Sequence, residues 1–245
     1  MGNRTFSNIL LIGGTSDIGL ALVRELLHQD NKEPKRVHLV SRSDVSMSAA
    51  QSSLNGNANM HLTRSGKVDF REPTKISIQI GNILGSEEFD LIIISVATIP
   101  SITPNLIDLI SINFVSPAVV LDLILESQLN RDCQVVLLSS ALIGLRPRDN
   151  SFIYTASKLG LDFFARGLQK IAFKKNQLII VRPGFVRTKL TKMSKSGRFP
   201  QSPDELAKMI VPRIGKTKIF FAPRFLQPLV MILNALPERI YRKLP

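Results

Sequence analysis

Cysteine occurs only once among the 245 residues, at Cys133, so an internal disulfide is excluded and nothing indicates an oxidising compartment. The three histidines show no metal-ligand spacing, so no metal site is predicted. A long apolar run near the N-terminus is also lacking, because residues 9–12 lead directly into glycines. We therefore expect a strand at this place and no signal peptide. Tyrosine occurs only at Tyr154 and Tyr241, which leaves few phenols for chemistry.

Acidic residues are scarce relative to basic ones, and the formal net charge is +13. Such an excess is typical of proteins that meet nucleic acid, an anionic membrane surface or an acidic substrate, although solubility alone can also explain it. Aromatic residues do not alternate with the basic ones, and no nucleic-acid-binding module is recognisable, so we predict no nucleic-acid partner. A hydrophobic content of 44% and this length suit one large globular domain.

Short apolar runs alternate with segments of helical periodicity along the chain. The runs predict buried strands at residues 7–12, 36–40, 91–96, 134–138 and 178–181. The periodic segments predict helices at residues 17–28, 105–128, 153–173 and from 202 to about 211, and the polar stretch 41–59 is expected to be loop with a short helix. The alternation predicts an α/β fold with a single Rossmann-like, doubly wound parallel sheet and helices on both faces.

A glycine turn follows the first predicted strand and opens the first predicted helix. A pyrophosphate at a helix N-terminus needs backbone N–H groups with no side chain in the way, which Gly13 and Gly19 allow. Thr15 and Ser16 can donate hydroxyls to phosphate, and Asp17 is expected to be the helix N-cap. The predicted cofactor-binding residues here are Gly13, Thr15, Ser16, Asp17, Ile18 and Gly19. Taken alone, the pattern also fits a plain strand-turn-helix.

The end of the second predicted strand is where the adenosine ribose of a dinucleotide should lie. An acidic residue there favours NAD, whereas an arginine accommodates the 2′-phosphate of NADP. Ser41 and Arg42 stand at this end, and no acid follows until Asp44, so NADH or NADPH is expected, with a preference for NADPH. Asp69 would place a carboxylate against the adenine, unless it is only a turn residue.

Tyr154 and Lys158 are four residues apart on a predicted helix and so share one face. Tyrosine is a poor acid because its pKa is about 10, but a neighbouring ammonium stabilises the phenolate and lowers that pKa. Ser139 and Ser140 end the preceding strand, where one hydroxyl can stabilise a developing oxyanion. These groups predict carbonyl reduction or alcohol oxidation. Four residues after the next strand would close over the nicotinamide: Pro183, Gly184, Val186 and Thr188.

In this order, Gly-x-x-x-x-x-Gly, Ser-Ser, Tyr-x-x-x-Lys and Pro-Gly-x-Val-x-Thr resemble the motifs of the short-chain dehydrogenases/reductases over nearly the whole chain. The resemblance implies Ser140 as the substrate-polarising serine, Tyr154 as the acid/base and Lys158 as the ribose-binding lysine. It also implies that Asn113 holds a water relay to that lysine. The alternative for Asn113 is a helix-surface residue.

Two departures from the family pattern place the chain in a divergent branch. Asp17 replaces a family glycine, and Ile94-Ser95-Val96-Ala97 stands where Asn-Asn-Ala-Gly is usual. Ala97 keeps the expected cofactor-binding position. Residues 1–223 would form the NAD(P)-binding domain, and residues 224–245 an amphipathic basic segment of the same domain.

Further motifs resemble a subgroup of that family, the actinobacterial reductases of decaprenylphosphoryl-2-keto-β-D-erythro-pentose, which are epimerase subunits. These motifs are Gly-Gly-Thr-Ser-Asp-Ile-Gly, Val-Asp-Phe, Arg-Pro-Gly-Phe-Val-Arg-Thr and the ending Ile-Tyr-Arg-Lys-Leu-Pro. The resemblance implies that an FAD-dependent oxidase subunit makes the 2-keto sugar. This chain would then reduce that lipid-linked sugar phosphate to decaprenylphosphoryl arabinose for cell-wall arabinan.

The C-terminal residues 220–245 are apolar and then basic, ending with Arg239, Arg242 and Lys243. The apolar run is shorter than the ~20 residues of a transmembrane helix. It predicts an interfacial helix on an anionic membrane, with the protein cytoplasmic and peripheral at the inner face of the cell membrane. Alternatively, the segment docks on the core or forms the interface of a homo-oligomer.

Basic residues also outnumber acidic ones in the segment expected to cover the substrate pocket. Between residues 187 and 224 the acidic residues are Asp204 and Glu205, against Lys189, Lys192, Lys195, Arg198, Lys208, Arg213, Lys216 and Lys218. A phosphate on a lipid-linked sugar would meet cations there, although a merely solvated lid has the same composition.

Two other functions fit the same sequence. A membrane-associated reductase of a steroid, retinoid or acyl substrate would use the same catalytic residues. A non-catalytic NAD(P)-binding subunit of an oxidase complex belongs to a different class, and the intact set of Ser140, Tyr154 and Lys158 argues against it.

Overall fold

The computed structural model describes residues 5–29, 34–54, 60–128, 132–147, 151–192 and 199–241. The strands are β1 (Asn8–Ile12), β2 (Lys35–Ser41), β3 (Met60–Lys67), β4 (Leu91–Ile94), β5 (Gln134–Leu138), β6 (Leu178–Pro183) and β7 (Ile219–Ala222). The helices are α1 (Asp17–Gln29), α2 (Asp44–Leu54), α3 (Pro73–Ser86), α4 (Leu106–Ile110), α5 (Ser116–Gln128), α6 (Phe152–Ile171), α7 (Pro203–Ile210), α8 (Leu226–Ala235) and α9 (Glu238–Tyr241).

All seven strands within these ranges form one parallel sheet in the order β3-β2-β1-β4-β5-β6-β7. The order reverses between β1 and β4, so the loops after these two strands diverge and leave a crevice at the carboxyl edge. Helices cover both faces of the sheet. The prediction of a Rossmann-like, doubly wound α/β fold is confirmed.

The strands are buried on both faces because each contributes alternate side chains to two cores. In β1, Ile9 and Leu11 face the core under α1, α2 and α7, whereas Leu10 and Ile12 face the core under α3, α5 and α6. All four of these side chains are fully buried. The apolar runs of the sequence therefore predicted strands correctly where both faces are covered.

Three elements were not predicted: β3, α3 and β7. Strand β3 lies at the sheet edge, and its polar sequence lacks the apolar run that marks a central strand. Strand β7 has only four residues, and the sequence interpretation merged them with the apolar C-terminal segment. The capping box of Ser202 and Glu205 at the start of α7 is confirmed.

The helix predicted at residues 105–128 is real but contains a π-helical turn at Ser111–Val115, between α4 and α5. Within the described residues, Leu106–Ser127 is the helical stretch long and apolar enough to cross a membrane by length and composition, with a mean hydropathy of 1.8. Half of it is buried inside the fold. A core helix of a globular domain has these properties.

The C-terminal helices α8 and α9 pack on the loop that follows β5. Val230 of α8 is buried against Gly144, so closely that a Cβ on Gly144 would lie 2.5 Å from Val230 Cγ1. Arg146 forms an ion pair with Glu238 at 3.0 Å, and the Tyr241 hydroxyl donates to the Arg146 carbonyl. The inner side of this segment therefore docks on the core. The predicted cations Lys195, Arg198, Arg242 and Lys243 lie outside the described residues.

Candidate active site

A cavity of about 470 Å³ opens at the carboxyl edge of the sheet, where the strand order reverses. Of the predicted site residues, those that line it are Gly13, Thr15, Ser16, Asp17, Ile18, Ser41, Arg42, Asp69, Ala97, Ser140, Tyr154, Lys158, Pro183, Gly184, Val186 and Thr188. Gly19 and Asn113 do not line it. The fold thus brings residues from distant parts of the chain to one crevice.

The glycine turn has no room for side chains at two of its positions. Gly13 has a φ of +91°, and a Cβ there would lie 2.4 Å from the Ser95 carbonyl oxygen. A Cβ on Gly19 would lie 2.6 Å from Leu11 Cδ1, so this glycine lets α1 pack closely on β1. Backbone at the start of α1 therefore faces the cavity directly, as binding of a dinucleotide pyrophosphate requires. The turn fits the cofactor that the motif predicts.

The predicted N-cap of α1 is wrong. The Ser16 hydroxyl accepts from the Gly19 N–H at 3.3 Å and pairs with the Ser95 hydroxyl at 2.6 Å, so Ser16 caps the helix. Asp17 is the first helical residue, and its carboxylate accepts from the Lys189 N–H at 2.7 Å. Asp17 therefore connects the glycine turn to the segment after β6, which is 172 residues away in sequence.

A charged cluster marks the end of the cavity beyond β2. Arg42 is exposed there, and Asp69 lies close enough for the Arg42 charge to act on its carboxylate. The main partner of Asp69 is Arg71, whose Nε donates to both carboxylate oxygens at 3.0 Å. This hydrogen bond is the chief cause that lowers the pKa of Asp69. The Arg71 N–H also donates to Asp69, so Asp69 is a turn aspartate that faces the cavity.

The two serines that end β5 have different roles. The Ser139 hydroxyl donates to the Asp162 carboxylate at 3.0 Å, and this fully buried carboxylate also accepts from Arg182 at 2.9 and 2.6 Å. Ser139 is therefore tied to the interior of the fold. Both serines line the cavity, and the Ser140 hydroxyl accepts from the Leu142 N–H at 3.2 Å. Because Asp162 engages the Ser139 hydroxyl, the geometry favours Ser140 as the site serine, and its role stays a prediction.

Lys158 is buried beneath the cavity and 1% exposed. Its ammonium donates to the Val96 carbonyl at 3.1 Å and to the Leu138 carbonyl at 3.0 Å, which lie after β4 and at the end of β5. Burial lowers the pKa of Lys158 to about 8, because an ammonium loses most of its hydration there. The lysine therefore joins two strand ends on the side of the cavity where Tyr154 lies.

The expected effect of Lys158 on the tyrosine pKa is not found. Burial raises the pKa of Tyr154 above its ordinary value, and the hydrogen bond with Ser140 opposes this effect. The ammonium of Lys158 is directed at two backbone carbonyls. Of the two causes that act on the Tyr154 pKa, the hydrogen bond with Ser140 is the one that favours the phenolate.

Asn113 is fully buried in the π-helical turn, a feature that often marks functional sites. Its Oδ1 accepts from the Thr98 N–H at 2.7 Å, and its Nδ2 donates to the Thr98 carbonyl and to the Ser157 hydroxyl. The helix-surface alternative is wrong. Asn113 fastens the segment after β4 to the residue just before Lys158, and its role in a water relay stays a prediction.

Several cavity residues were missed by the sequence interpretation. Ser95 and Thr98 follow β4, and Thr191 follows the Pro-Gly motif. The Thr191 hydroxyl donates to the Val186 carbonyl at 2.6 Å and accepts from the Thr188 N–H, which shapes the segment over the cavity. Their position just beyond strand ends was the available signal, because loops after parallel strands meet at one edge.

This fold and cleft define a class of protein: a nucleotide-dependent oxidoreductase with a serine, a tyrosine and a lysine at one cavity. The family model for short chain dehydrogenases matches residues 7–198. The chain therefore belongs to the short-chain dehydrogenase/reductase family, which uses NAD(P), and it is an oxidoreductase.

Relatives and solved structures agree with this family. A very-long-chain 3-oxoacyl-CoA reductase of Anas platyrhynchos is 26% identical over 218 residues, which cover 84% of this chain and 68% of the relative. An uncharacterized oxidoreductase of Streptomyces coelicolor is 27% identical over 247 residues, covering 97% and 95%. A short-chain dehydrogenase from Sphingobium yanoikuyae in complex with NADPH has a TM-score of 0.71 at 16% identity, covering 98% and 96%. ElxO with NADP bound has a TM-score of 0.66 at 18% identity, covering 90% and 99%.

Proposed function

We propose that this protein uses NADPH to reduce the 2-keto group of a polyprenylphosphoryl pentose, in the second half of a 2-epimerisation that gives the arabinose sugar. The observation that carries the reductase activity is that Ser140, Tyr154 and Lys158 line the same cavity as the Gly13 turn. A phenol that faces this cavity together with a serine hydroxyl can donate its proton to a substrate oxygen.

Each residue at the site has a distinct task in this proposal. The backbone at Gly13 and the start of α1 would hold the cofactor pyrophosphate, and the Lys158 ammonium would hold its ribose. Once bound, the reduced nicotinamide supplies a hydride. Tyr154 donates its phenolic proton to the carbonyl oxygen as negative charge develops there, and the Ser140 hydroxyl donates a hydrogen bond to that oxygen.

The position of Arg42 favours NADPH over NADH as the cofactor. Its exposed guanidinium follows β2 at the cavity, where the 2′-phosphate of NADP would lie. ElxO and the Sphingobium yanoikuyae dehydrogenase, which share this fold, are solved with NADP and NADPH, respectively.

Replacing Arg42 with alanine should weaken NADPH binding by about 10- to 100-fold, because a charge-assisted hydrogen bond contributes roughly 1.5–3 kcal/mol. NADH affinity should stay nearly constant, since NADH lacks the 2′-phosphate. Dissociation constants from cofactor fluorescence measure both effects. Arg36→Ala, at the opposite end of the same strand, is the matched control. An equal loss for the two cofactors would contradict the role of Arg42.

A second cavity of about 470 Å³ supports the proposal that the substrate carries a phosphate. It shares Asp17, Thr188, Lys189 and Thr191 with the first cavity, so the two lie side by side. Its other lining residues include Arg187 and Lys192, so its cations outnumber its one carboxylate. A phosphodiester between sugar and lipid would be stabilised here, because arginine and lysine are the usual partners of phosphate oxygens.

The test of the substrate is a comparison of ketones. The protein should oxidise NADPH with a polyprenylphosphoryl 2-keto pentose and not with the matching ribose compound. The double variant Arg187→Ala/Lys192→Ala should raise the KM for this ketone about tenfold, from the lost charge-assisted contacts. It should leave the KM for a 2-keto pentose without phosphate unchanged. Lys208→Ala/Lys216→Ala, at exposed sites outside both cavities, is the control.

A 3-oxoacyl thioester is the second candidate substrate, favoured by the names of the relatives that reduce very-long-chain 3-oxoacyl-CoA. A higher kcat/KM with such thioesters than with the keto pentose would show that the thioester is the substrate.

The keto pentose itself requires a preceding oxidation, for which we propose an FAD-dependent oxidase partner. A coupled assay starting from the ribose compound tests this partner.

A further inference from the structure

The outward side of α8 is an apolar surface without a partner in the described chain. Met231 and Ile232 are 67% and 61% exposed, and Phe225 just before the helix is 45% exposed. Phe199 is 60% exposed and packs edge-to-face on Phe225 at 5.2 Å between ring centroids. These four residues are named the α8 face. An exposed cluster of large apolar side chains usually marks an interaction site.

The α8 face is held rigidly. Val230 on the inner side of the helix is buried in a small core with Ala141 and Phe221. The Arg146 side chain donates to the Asn234 carbonyl at 2.6 Å and fastens the end of the helix. Met231 and Ile232 therefore point outward because their neighbours in the helix are already packed inward.

The charges around the α8 face are mostly positive. Arg224 and Arg239 flank the helix and are exposed. The one acidic residue between positions 224 and 245 is Glu238, which is paired with Arg146. A surface with large apolar side chains and flanking cations is complementary to an anionic lipid bilayer, whose headgroups attract cations while its acyl region takes up apolar groups.

Helix α8 begins beside the catalytic cleft. Leu226 at the start of α8 packs so closely under Gly184 that a Cβ on Gly184 would lie 2.8 Å from Leu226 Cδ1. Gly184 itself lines the cavity with Tyr154. A membrane against the α8 face would therefore lie beside the cavity.

We propose that the α8 face docks on an anionic lipid surface, so that the sugar of a lipid-linked substrate reaches the cavity while its lipid stays in the bilayer. The reason for docking, access to a lipid-linked substrate, rests on the proposed function, but docking itself can be measured without the reaction. The cytoplasmic face of the cell membrane is the location that we propose for this docking.

The test is flotation of the full chain with vesicles that contain phosphatidylglycerol, compared with vesicles of phosphatidylcholine alone. Met231→Glu/Ile232→Glu should lower the fraction bound to anionic vesicles at least about tenfold, because binding no longer transfers two apolar side chains from water into the bilayer. Ile78→Glu/Ile171→Glu replaces similarly exposed isoleucines on α3 and α6 and should change binding less than about twofold. Both variants should keep the wild-type NADPH affinity, which shows that they fold.

Three outcomes would overturn the docking proposal: no flotation of the wild type, equal flotation of both double variants, or equal binding to the two kinds of vesicle. A further overturning outcome is a dimer that Met231→Glu/Ile232→Glu dissociates without loss of vesicle binding, because the face would then belong to a second copy of the chain. Flotation that depends on the α8 face, without reduction of the keto pentose, would contradict the proposed substrate and leave the docking intact.

Discussion

Replacing Tyr154 with phenylalanine should lower kcat for carbonyl reduction by about 10²- to 10⁴-fold, the usual contribution of a positioned general acid. The substitution removes only the phenolic hydroxyl at the cavity. The dissociation constant of NADPH should change less than about twofold, because no charged group is lost. Steady-state rates with a reducible ketone and cofactor fluorescence measure the two quantities on the same preparation.

Tyr241→Phe is the matched control, since it removes the chain's other phenol from a site where the hydroxyl donates to the Arg146 carbonyl outside the cavity. It should leave kcat unchanged. Reduction by Tyr154→Phe at the wild-type rate would remove Tyr154 from the chemistry, and only the nucleotide-binding fold would stand.

Replacing Lys158 with methionine should change how stability depends on pH. The ammonium is buried, with a pKa of about 8 in the folded protein instead of 10.5. Between these values the unfolded chain binds a proton that the folded protein has lost, so the free energy of unfolding of the wild type rises with pH. Below pH 8 both states are protonated, and the full cost of burying the charge is present. The shift corresponds to about 3 kcal/mol.

The free energy of unfolding of the wild type minus that of Lys158→Met should therefore increase by up to about 3 kcal/mol between pH 7 and pH 10. Urea unfolding at the two pH values measures it. Lys170→Met, at an exposed position of the same helix, should show no such increase. A constant difference for Lys158→Met would contradict the burial of a charged ammonium. Cofactor binding should weaken in this variant, because the ribose loses its cation.

The parts of this protein that could be predicted are those that depend on neighbouring residues. Ile9 to Ile12 are apolar because both faces of β1 are covered, and the period of the sequence shows this directly. Gly13 is required by a φ of +91°, and Tyr154 and Lys158 share a helical face because they are four residues apart. Such relations can be recognised in the sequence without knowledge of the fold.

The parts that could not be predicted depend on contacts between distant segments. Asp17 has the residue type of an N-cap, but its carboxylate is taken by the Lys189 N–H while Ser16 caps the helix. Ser139 and Ser140 look equivalent in sequence, and only the buried Asp162 separates them. The spacing of Tyr154 and Lys158 suggested an electrostatic effect, whereas the ammonium is directed at carbonyls of two strand ends.

The most direct test of the central claim is reduction of the keto pentose with NADPH that carries deuterium in the transferable position of its nicotinamide. If the cleft that joins the Gly13 turn to Ser140 and Tyr154 transfers hydride, mass spectrometry should find one deuterium on the carbinol carbon of the product. A product without deuterium on that carbon, formed at the same rate, would contradict the account.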